Sequence, residues 1–339
     1  MCAAWQPRVA LTGPRAAAHL EFMQPRDSWI LAEPFAGLQA QALGLAEALG
    51  CAPTLIDLIP RKAYAWLAAS MWPEPLAAVD LNHPPRGGLM FTVGGVGGAV
   101  GAALKRRGET VIQVQNPRMD LRKFDLVVAN QHDEITGDNV IVTRTALHRA
   151  TAARLAAAKL EWMPRFAHLP RPLVAVLVGG SNGRIRLEAA EGTALARSLN
   201  SMMRRDKIGM MVTPSRRTSP DVRGVLKNAL EPLGAYVWDM QGENPYFGML
   251  ACADMIVVTI DSVSMVSEAV ATSAPVLLAE LPGTSRRIGS FLNLLVKEGR
   301  VRHFCGQVEY WPVRPLDDTP VAADEVARRL GFETPLQLT

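Results

Sequence analysis

MIVVTIDSVSMVSEAVATSAPVLLAE, from Met255 to Glu280, decides the fold of this chain. An apolar run, Met255 to Val258, gives way to a polar turn, Thr259-Ile260-Asp261-Ser262. A helical segment follows, then Ala274-Pro275 and a second apolar run, Val276 to Ala279. This is one strand–turn–helix–strand unit. The turn brings small hydroxyl side chains and unpaired backbone N–H groups to a helix N-terminus, whose partial positive charge suits a phosphate or another anion. Asp261, Ser262, Ser264 and Met265 surround that end. Ser264 and Glu268, four residues apart, share a helix face close to it. A carboxylate so placed repels a phosphate but accepts both hydroxyls of a ribose, so the pattern suits a nucleotide better than a bare phosphate.

The same alternation runs through most of the chain. Strands are expected at Trp29–Ala32, Leu89–Val93, Thr110–Val114, Leu126–Ala129, Val140–Val142, Val174–Val178, Gly209–Thr213, Ala235–Trp238, Met255–Val258 and Val276–Ala279. Helices fit between them at Gly37–Leu49, Leu187–Met203, Asp221–Leu230, Tyr246–Cys252 and Arg287–Glu298. This spacing argues an α/β fold with parallel sheets covered on both faces. Glu161–Pro172 (EWMPRFAHLPRP), with three prolines and no periodicity, reads as a linker. It divides the chain into Rossmann-like halves, residues 1–165 and 166–300. Residues 301–339 form a tail whose last helix, near Val321–Leu330, is expected to cross back to the first half. Ligands of open α/β sheets collect beyond the carboxyl ends of the strands, so the expected site is a cleft between two facing sheets.

Several motifs fall where strands end. Gly179-Gly180-Ser181-Asn182 lets a backbone approach a ligand closely, or simply turns the chain. Ser215-Arg216-Arg217-Thr218 sets two guanidiniums on a strand-end loop, to clamp a diphosphate or to stay solvated beside a helix cap. Asn244 caps the helix that begins near Pro245 or, with Tyr246, reads a nucleobase. Gly37 and Gln41 open a helix in the first half, and Gly94-Gly95 begins a glycine loop reaching Gly98. Both are read as the opposite wall of that cleft or as tight turns. His132-Asp133 follows the strand Leu126–Ala129, where a histidine beside an acid can serve as general base or as a structural hydrogen-bonder.

At 339 residues the chain is long enough for two domains, and its net charge of +4 is too small to imply nucleic acid. The cationic pairs Arg106-Arg107, Arg204-Arg205 and Arg286-Arg287 read as solvated faces. Four cysteines without a C-x-x-C argue against a disulfide framework or a zinc site and fit a reducing cytosol. Gly87–Leu104 is uncharged, but seven of its 18 residues are glycine; it reads as strand, glycine turn and helix, not as a membrane span. The first twenty residues lack both acids and an apolar core and read as a frayed tail. Arg61–Trp72 (RKAYAWLAASMW) leads two tryptophans with basic residues on a short helical stretch, which suits a membrane surface or packing onto the first domain. No Asp-x-Asp, HExxH, GxSxG or Walker sequence occurs. A bound diphosphate is therefore expected to be neutralised by arginine and helix dipoles, with no metal or cofactor required.

Taken together these residues resemble the mitochondrial-fission family, the plant elongated-mitochondria protein and its bacterial relatives. The resemblance runs from Gly37-x-x-x-Gln41-Ala42-Leu43-Gly44-Leu45-Ala46 through Phe124-Asp125-Leu126-Val127-Val128, His132-Asp133, Asp138-Asn139-Val140 and Gly179-Gly180-Ser181. It continues in Ser215-Arg216-Arg217-Thr218, Glu243-Asn244-Pro245-Tyr246 and Val258-Thr259-x-Asp261-Ser262-x-Ser264-Met265-x-Ser267-Glu268-Ala269. Ala32-Glu33-Pro34-Phe35 departs from the more polar Asp-Gly lead-in of relatives. That family is in turn similar to the GT-B glycosyltransferases, including the enzyme that adds N-acetylglucosamine to the lipid-linked peptidoglycan precursor.

The resemblance implies a GT-B-like fold with Gly180-Ser181, Arg216 or Arg217, Ser262 and Ser264 at a diphosphate, Glu268 on the ribose and His132 near an acceptor. It implies a metal-independent glycosyltransferase taking a nucleotide sugar and a lipid-linked or envelope glycan, in the cytoplasm or at the inner face of the membrane. Two other readings stay open: a non-catalytic nucleotide-binding or partner-recruiting protein, and a nucleotide-sugar epimerase.

Overall fold

The longest apolar runs become strands buried on both faces, as parallel sheets require. Leu173–Val178 (LVAVLV) and Met255–Thr259 (MIVVT) have every residue buried. The computed structural model describes residues 27–331 other than 65 and 82. Its strands form two six-stranded sheets in which every pairing is parallel.

The first lobe contains β1 (Ser28–Ala32), α1 (Ala36–Ala48), β2 (Thr54–Asp57), β3 (Leu89–Val93), α2 (Gly94–Lys105), β4 (Thr110–Val114), β5 (Leu126–Asn130) and β6 (Val140–Thr143). Its strand order is β2-β1-β3-β4-β5-β6. After α3 (Ala152–Trp162) the second lobe contains β7 (Leu173–Val178), α4 (Ala189–Asp206), β8 (Gly209–Pro214), α5 (Pro220–Leu230), β9 (Tyr236–Val237), α6 (Tyr246–Cys252) and β10 (Met255–Thr259). It closes with α7 (Val263–Val270), β11 (Val276–Ala279), α8 (Arg286–Lys297), β12 (Val301–His303) and α9 (Thr319–Leu330). The second sheet runs β12-β11-β10-β7-β8-β9.

Strand order reverses between β1 and β3 in the first sheet and between β7 and β10 in the second. Such switch points open a crevice beyond the strand ends. Val258 pairs with Leu177, so β7 and β10 deliver their loops at one height. Gly37 and Gly94 lie at the first switch point; Gly179 to Asn182 and Thr259 to Ser262 lie at the second.

The structure departs from the sequence reading in four places. β2 and β12 are short sheet-edge strands that the reading lacked; most of their side chains are exposed, so no apolar run marks them. The glycines at 94–98 form the first turns of α2 and not a loop. A Cβ on Gly98 would lie 2.8 Å from Pro117 Cβ, and one on Gly101 2.7 Å from Thr92 Oγ1. Close packing therefore outweighs the helix cost of about 1 kcal/mol per glycine.

Glu161–Pro172 does not join the lobes. Trp162, Phe166 and Leu169 are buried in the second lobe's core, and the chain crosses earlier, between β6 and α3. Lastly, Arg61–Trp72 is two 3-10 turns, Lys62–Tyr64 and Ala69–Met71, with Trp72 buried and Trp66 exposed.

The tail returns to the first lobe. Ala322, Ala323 and Val326 of α9 pack into that lobe's core beside α1, and the Asp318 carboxylate holds the Arg144 guanidinium (2.6 Å). The expectation for the first twenty residues lies outside the described residues. Among the described residues, no helix is long and apolar enough to cross a membrane.

Candidate functional site

The second-lobe crevice is organised around Asp261, whose side chain is fully buried. Its carboxylate accepts from the Gly180 N–H (2.9 Å), the Thr259 hydroxyl (2.7 Å) and Arg217 Nη2 (2.7 Å). Arg217 also donates to the Gly180 carbonyl (2.9 Å), and the Thr259 hydroxyl accepts from the Gly179 N–H (2.8 Å). The β7, β8 and β10 loops are thus locked together by one ion pair. Gly179 and Gly180 permit this approach: a Cβ on either would lie 2.1 Å from Asp261 Oδ2 or 2.2 Å from the Arg217 carbonyl oxygen.

Several expected ligand contacts are spent on the loops themselves. Ser181 Oγ accepts from the Leu187 N–H (2.9 Å), and Asn182 holds the Asp261 carbonyl and the Ile185 N–H. Thr218 accepts from the Ser215 N–H, Ser215 Oγ accepts from the Arg217 N–H, and Asn244 caps the Tyr246 N–H. The Met265 side chain belongs to the hydrophobic core. Asp261 and Arg217 answer each other's charge, so Arg217 reaches the crevice as one half of an ion pair. Arg216 remains, exposed and without an ion pair among the described residues.

α7 carries the rest. Ser262 accepts from the Met265 N–H at its start, and the buried Arg300 guanidinium donates to the Val270 and Thr272 carbonyls at its end. Its N-terminus is left as the positive pole. Glu268 is only 8% exposed, and its Oε2 accepts from the Tyr246 hydroxyl (2.5 Å). Burial pushes the Glu268 carboxyl up to about 7, against the lowering effect of that hydrogen bond. Burial, and then the charge of Glu268, raise the Tyr246 phenol. Glu268 is therefore a nearly sealed carboxyl behind a phenol and not an open ribose acceptor: Tyr246 covers it from α6, although Ser264 on the same helix face is half-buried against the first lobe.

The first lobe touches the start of α7. A Cβ on Gly37 would lie 3.2 Å from Ser264 Oγ, so the N-termini of α1 and α7 abut. Neither helix has an acid in its first turn. Gln41 Nε2 donates to the Gly37 carbonyl (3.1 Å), while its buried Oε1 has no partner. A Cβ on Gly94 would lie 3.8 Å from Leu38 Cδ1, and one on Gly95 would meet nothing within 4 Å.

His132 and Asp133 sit in a 3-10 turn after β5 and line a cavity of about 180 Å3 between the lobes. Burial lowers the His132 pKa; Asp133 opposes this and Arg287 adds to it, so the ring is neutral near pH 7. It packs edge-on against Phe291. Asp133 pairs with Arg287, and Glu134 with Arg286 (2.5 Å).

Both arginines thus reach across to the first lobe; Arg287, paired with the sealed Asp133, departs from the reading of a solvated face, while Arg286 stays 81% exposed. Two cations at the first positions of a helix, where the dipole disfavours them, were the signal available in the sequence. Among the described residues, no group of three or more His, Cys, Asp or Glu is placed to hold a metal ion.

Comparison with known proteins fits this picture. The family model for mitochondrial fission ELM1 matches residues 36–330. The Arabidopsis thaliana protein "Mitochondrial fission protein ELM1" is 34% identical over 65% of this chain, and the match takes in 58% of its own length. An uncharacterized Rickettsia prowazekii protein is 25% identical over 87% of this chain and 96% of its own. Among solved structures, S. aureus MnaA with UDP superposes with a TM-score of 0.52 at 11% identity, over 91% of this chain and 99% of that one. The UDP-GlcNAc 2-epimerase of Neisseria meningitidis, bound to UDP-GlcNAc, gives 0.51 at 12%, over 89% and 100%. Both likenesses concern the fold, which is GT-B-like.

Proposed function

The chain belongs to the mitochondrial fission ELM1 family, and from that premise we propose that its interlobe crevice binds a nucleotide sugar and transfers the sugar without a metal. One observation carries this reading: the N-termini of α1 and α7 meet at Gly37 and Ser264 with no acid in either first turn. Each end carries roughly half a positive charge and N–H groups without intrahelical partners. Two such ends repel, and an anion beside the contact, within reach of both, turns repulsion into a clamp. A diphosphate departing from a sugar supplies that anion, with Arg216 the free cation nearest in sequence to the locked loops.

The base in this reading is His132. A neutral imidazole can take the proton of an acceptor hydroxyl, and burial keeps this one neutral. The acceptor is a lipid-linked or envelope glycan. It approaches from the first lobe, where Ile59, Trp66 and Met71 are exposed beside Arg61 and Lys62 and suit a membrane surface.

Calorimetry with common nucleotide sugars and nucleoside diphosphates, in chelator, tests the premise. Binding of one of them is expected, weakened by Arg216→Ala; no heat with any of them removes the reading. A binding protein without turnover is the second reading, favoured by the protein partners already held by Arg217 and Glu268. It predicts nucleotide binding with no product, whether or not His132 is replaced. An epimerase would instead convert the donor with no acceptor present.

A further inference from the structure

The cavity between the lobes has a chemistry of its own. Guanidiniums from both lobes line it: Arg118 from the loop after β4, Arg286 and Arg287 from the first turn of α8. The acids facing them are Asp133 and Glu134, and each is already paired, Asp133 with Arg287 and Glu134 with Arg286. Arg118 is exposed and has no acid partner among the described residues. Three cations and a positive helix end therefore face two carboxylates, with neutral His132 in the same wall. The cavity has room for several waters.

The two ion pairs differ in kind. The Asp133 side chain is 2% exposed, so its pair with Arg287 is part of the framework. Glu134 and Arg286 are 57% and 81% exposed, and a pair so solvated contributes little and is readily replaced. Glu134 holds an oxyanion against Arg286 at the mouth of a cavity that still has one cation unanswered.

We propose that this cavity binds an oxyanion, a phosphate or a carboxylate, carried by a second substrate, with Arg118 and Arg286 as its clamp and Glu134 as the stand-in that leaves. Such a ligand touches both lobes at once and lies beside His132. The binding itself does not depend on the nucleotide reading. Naming the ligand as the acceptor of glycosyl transfer does rest on it, and makes that acceptor an anionic one.

The test is calorimetry of the whole chain with inorganic phosphate and, separately, acetate at low salt. Arg118→Ala and Arg286→Ala are each expected to weaken the preferred ion about tenfold, the size of one lost charge-assisted contact. Glu134→Gln is expected to tighten it several-fold by vacating Arg286. Arg106→Ala, an exposed cation outside the cavity, is expected to leave it unchanged. Phosphate binding over acetate identifies a phosphorylated ligand, and the reverse a carboxylated one. Failure of both ions to bind the wild type and Glu134→Gln overturns the inference, as does binding that only Arg216→Ala weakens. Should no nucleotide bind while this pattern holds, the nucleotide reading falls and the anion site stands.

Discussion

Glu268 and Asp261 are both buried carboxyls seven residues apart, yet their partners give them opposite chemistry. Asp261 has a guanidinium and two further donors; Glu268 has one phenol. The Glu268 pKa of about 7 exceeds its ordinary 4.5, so the folded chain keeps a proton that the unfolded chain has released. The contribution of Glu268 to stability is then expected to fall as pH rises between those two values and to be flat outside them. Glu268→Gln cannot titrate, and its advantage over the wild type should grow across that window to roughly 3 kcal/mol at most. Denaturant melts at several pH values measure this, and a flat difference would mean an open carboxyl. Arg217→Ala strips the cation from a fully buried carboxylate and is expected to cost about 3 kcal/mol, the low end for a broken buried pair because Arg217 is half-exposed. Arg216→Ala should stay within about 0.5 kcal/mol in the same melts while weakening nucleotide binding. Side by side in the sequence the two arginines look alike; only the fold shows that one is structural, because the acid it answers lies 44 residues away.

Among the elements, continuous apolar runs such as LVAVLV and MIVVT were legible because parallel strands bury both faces. Edge strands were not, nor was the start of α2 within its glycines, since their signal lies in the neighbours they meet and not in their own composition. Glycines within helices show the same dependence. On α6, a Cβ at Gly248 would lie 2.2 Å from Trp162 Cγ, whereas on α5 a Cβ at Gly224 meets nothing within 4 Å. Gly224→Ala is expected to stabilise by about 0.5–1 kcal/mol through propensity and unfolded-state entropy. Gly248→Ala should destabilise by about 1–3 kcal/mol through overpacking. Thermal melts of the pair check the signs. Equal shifts would mean that α3 is free to move off α6, contrary to the placement of Trp162 in the second lobe's core.

At the scale of the molecule, the chain crosses between lobes twice, after β6 and before α9, and Asp318 ties the crossings together through Arg144. Both sheets consequently turn their strand ends toward one gap, which is why motifs far apart in sequence meet there. On the first lobe Trp66 is 81% exposed, Met71 66% and Ile59 54%. Trp72, six residues beyond Trp66, is 7% exposed and packs edge-on with Tyr64, so this segment is anchored by one tryptophan and presents the other. An indole held in water on a fixed support, with Arg61 and Lys62 alongside, suits the boundary between headgroup and acyl chain. Each nearby cation adds about 1 kcal/mol toward an anionic surface. Flotation with anionic vesicles is expected to carry the wild type upward and to carry Trp66→Ser and Lys62→Glu much less. The melting temperatures should be unchanged, because neither side chain is buried. A wild type that stays with the soluble fraction, or variants that float equally well, would leave this face without a membrane role and make its exposed indole a surface for something other than lipid.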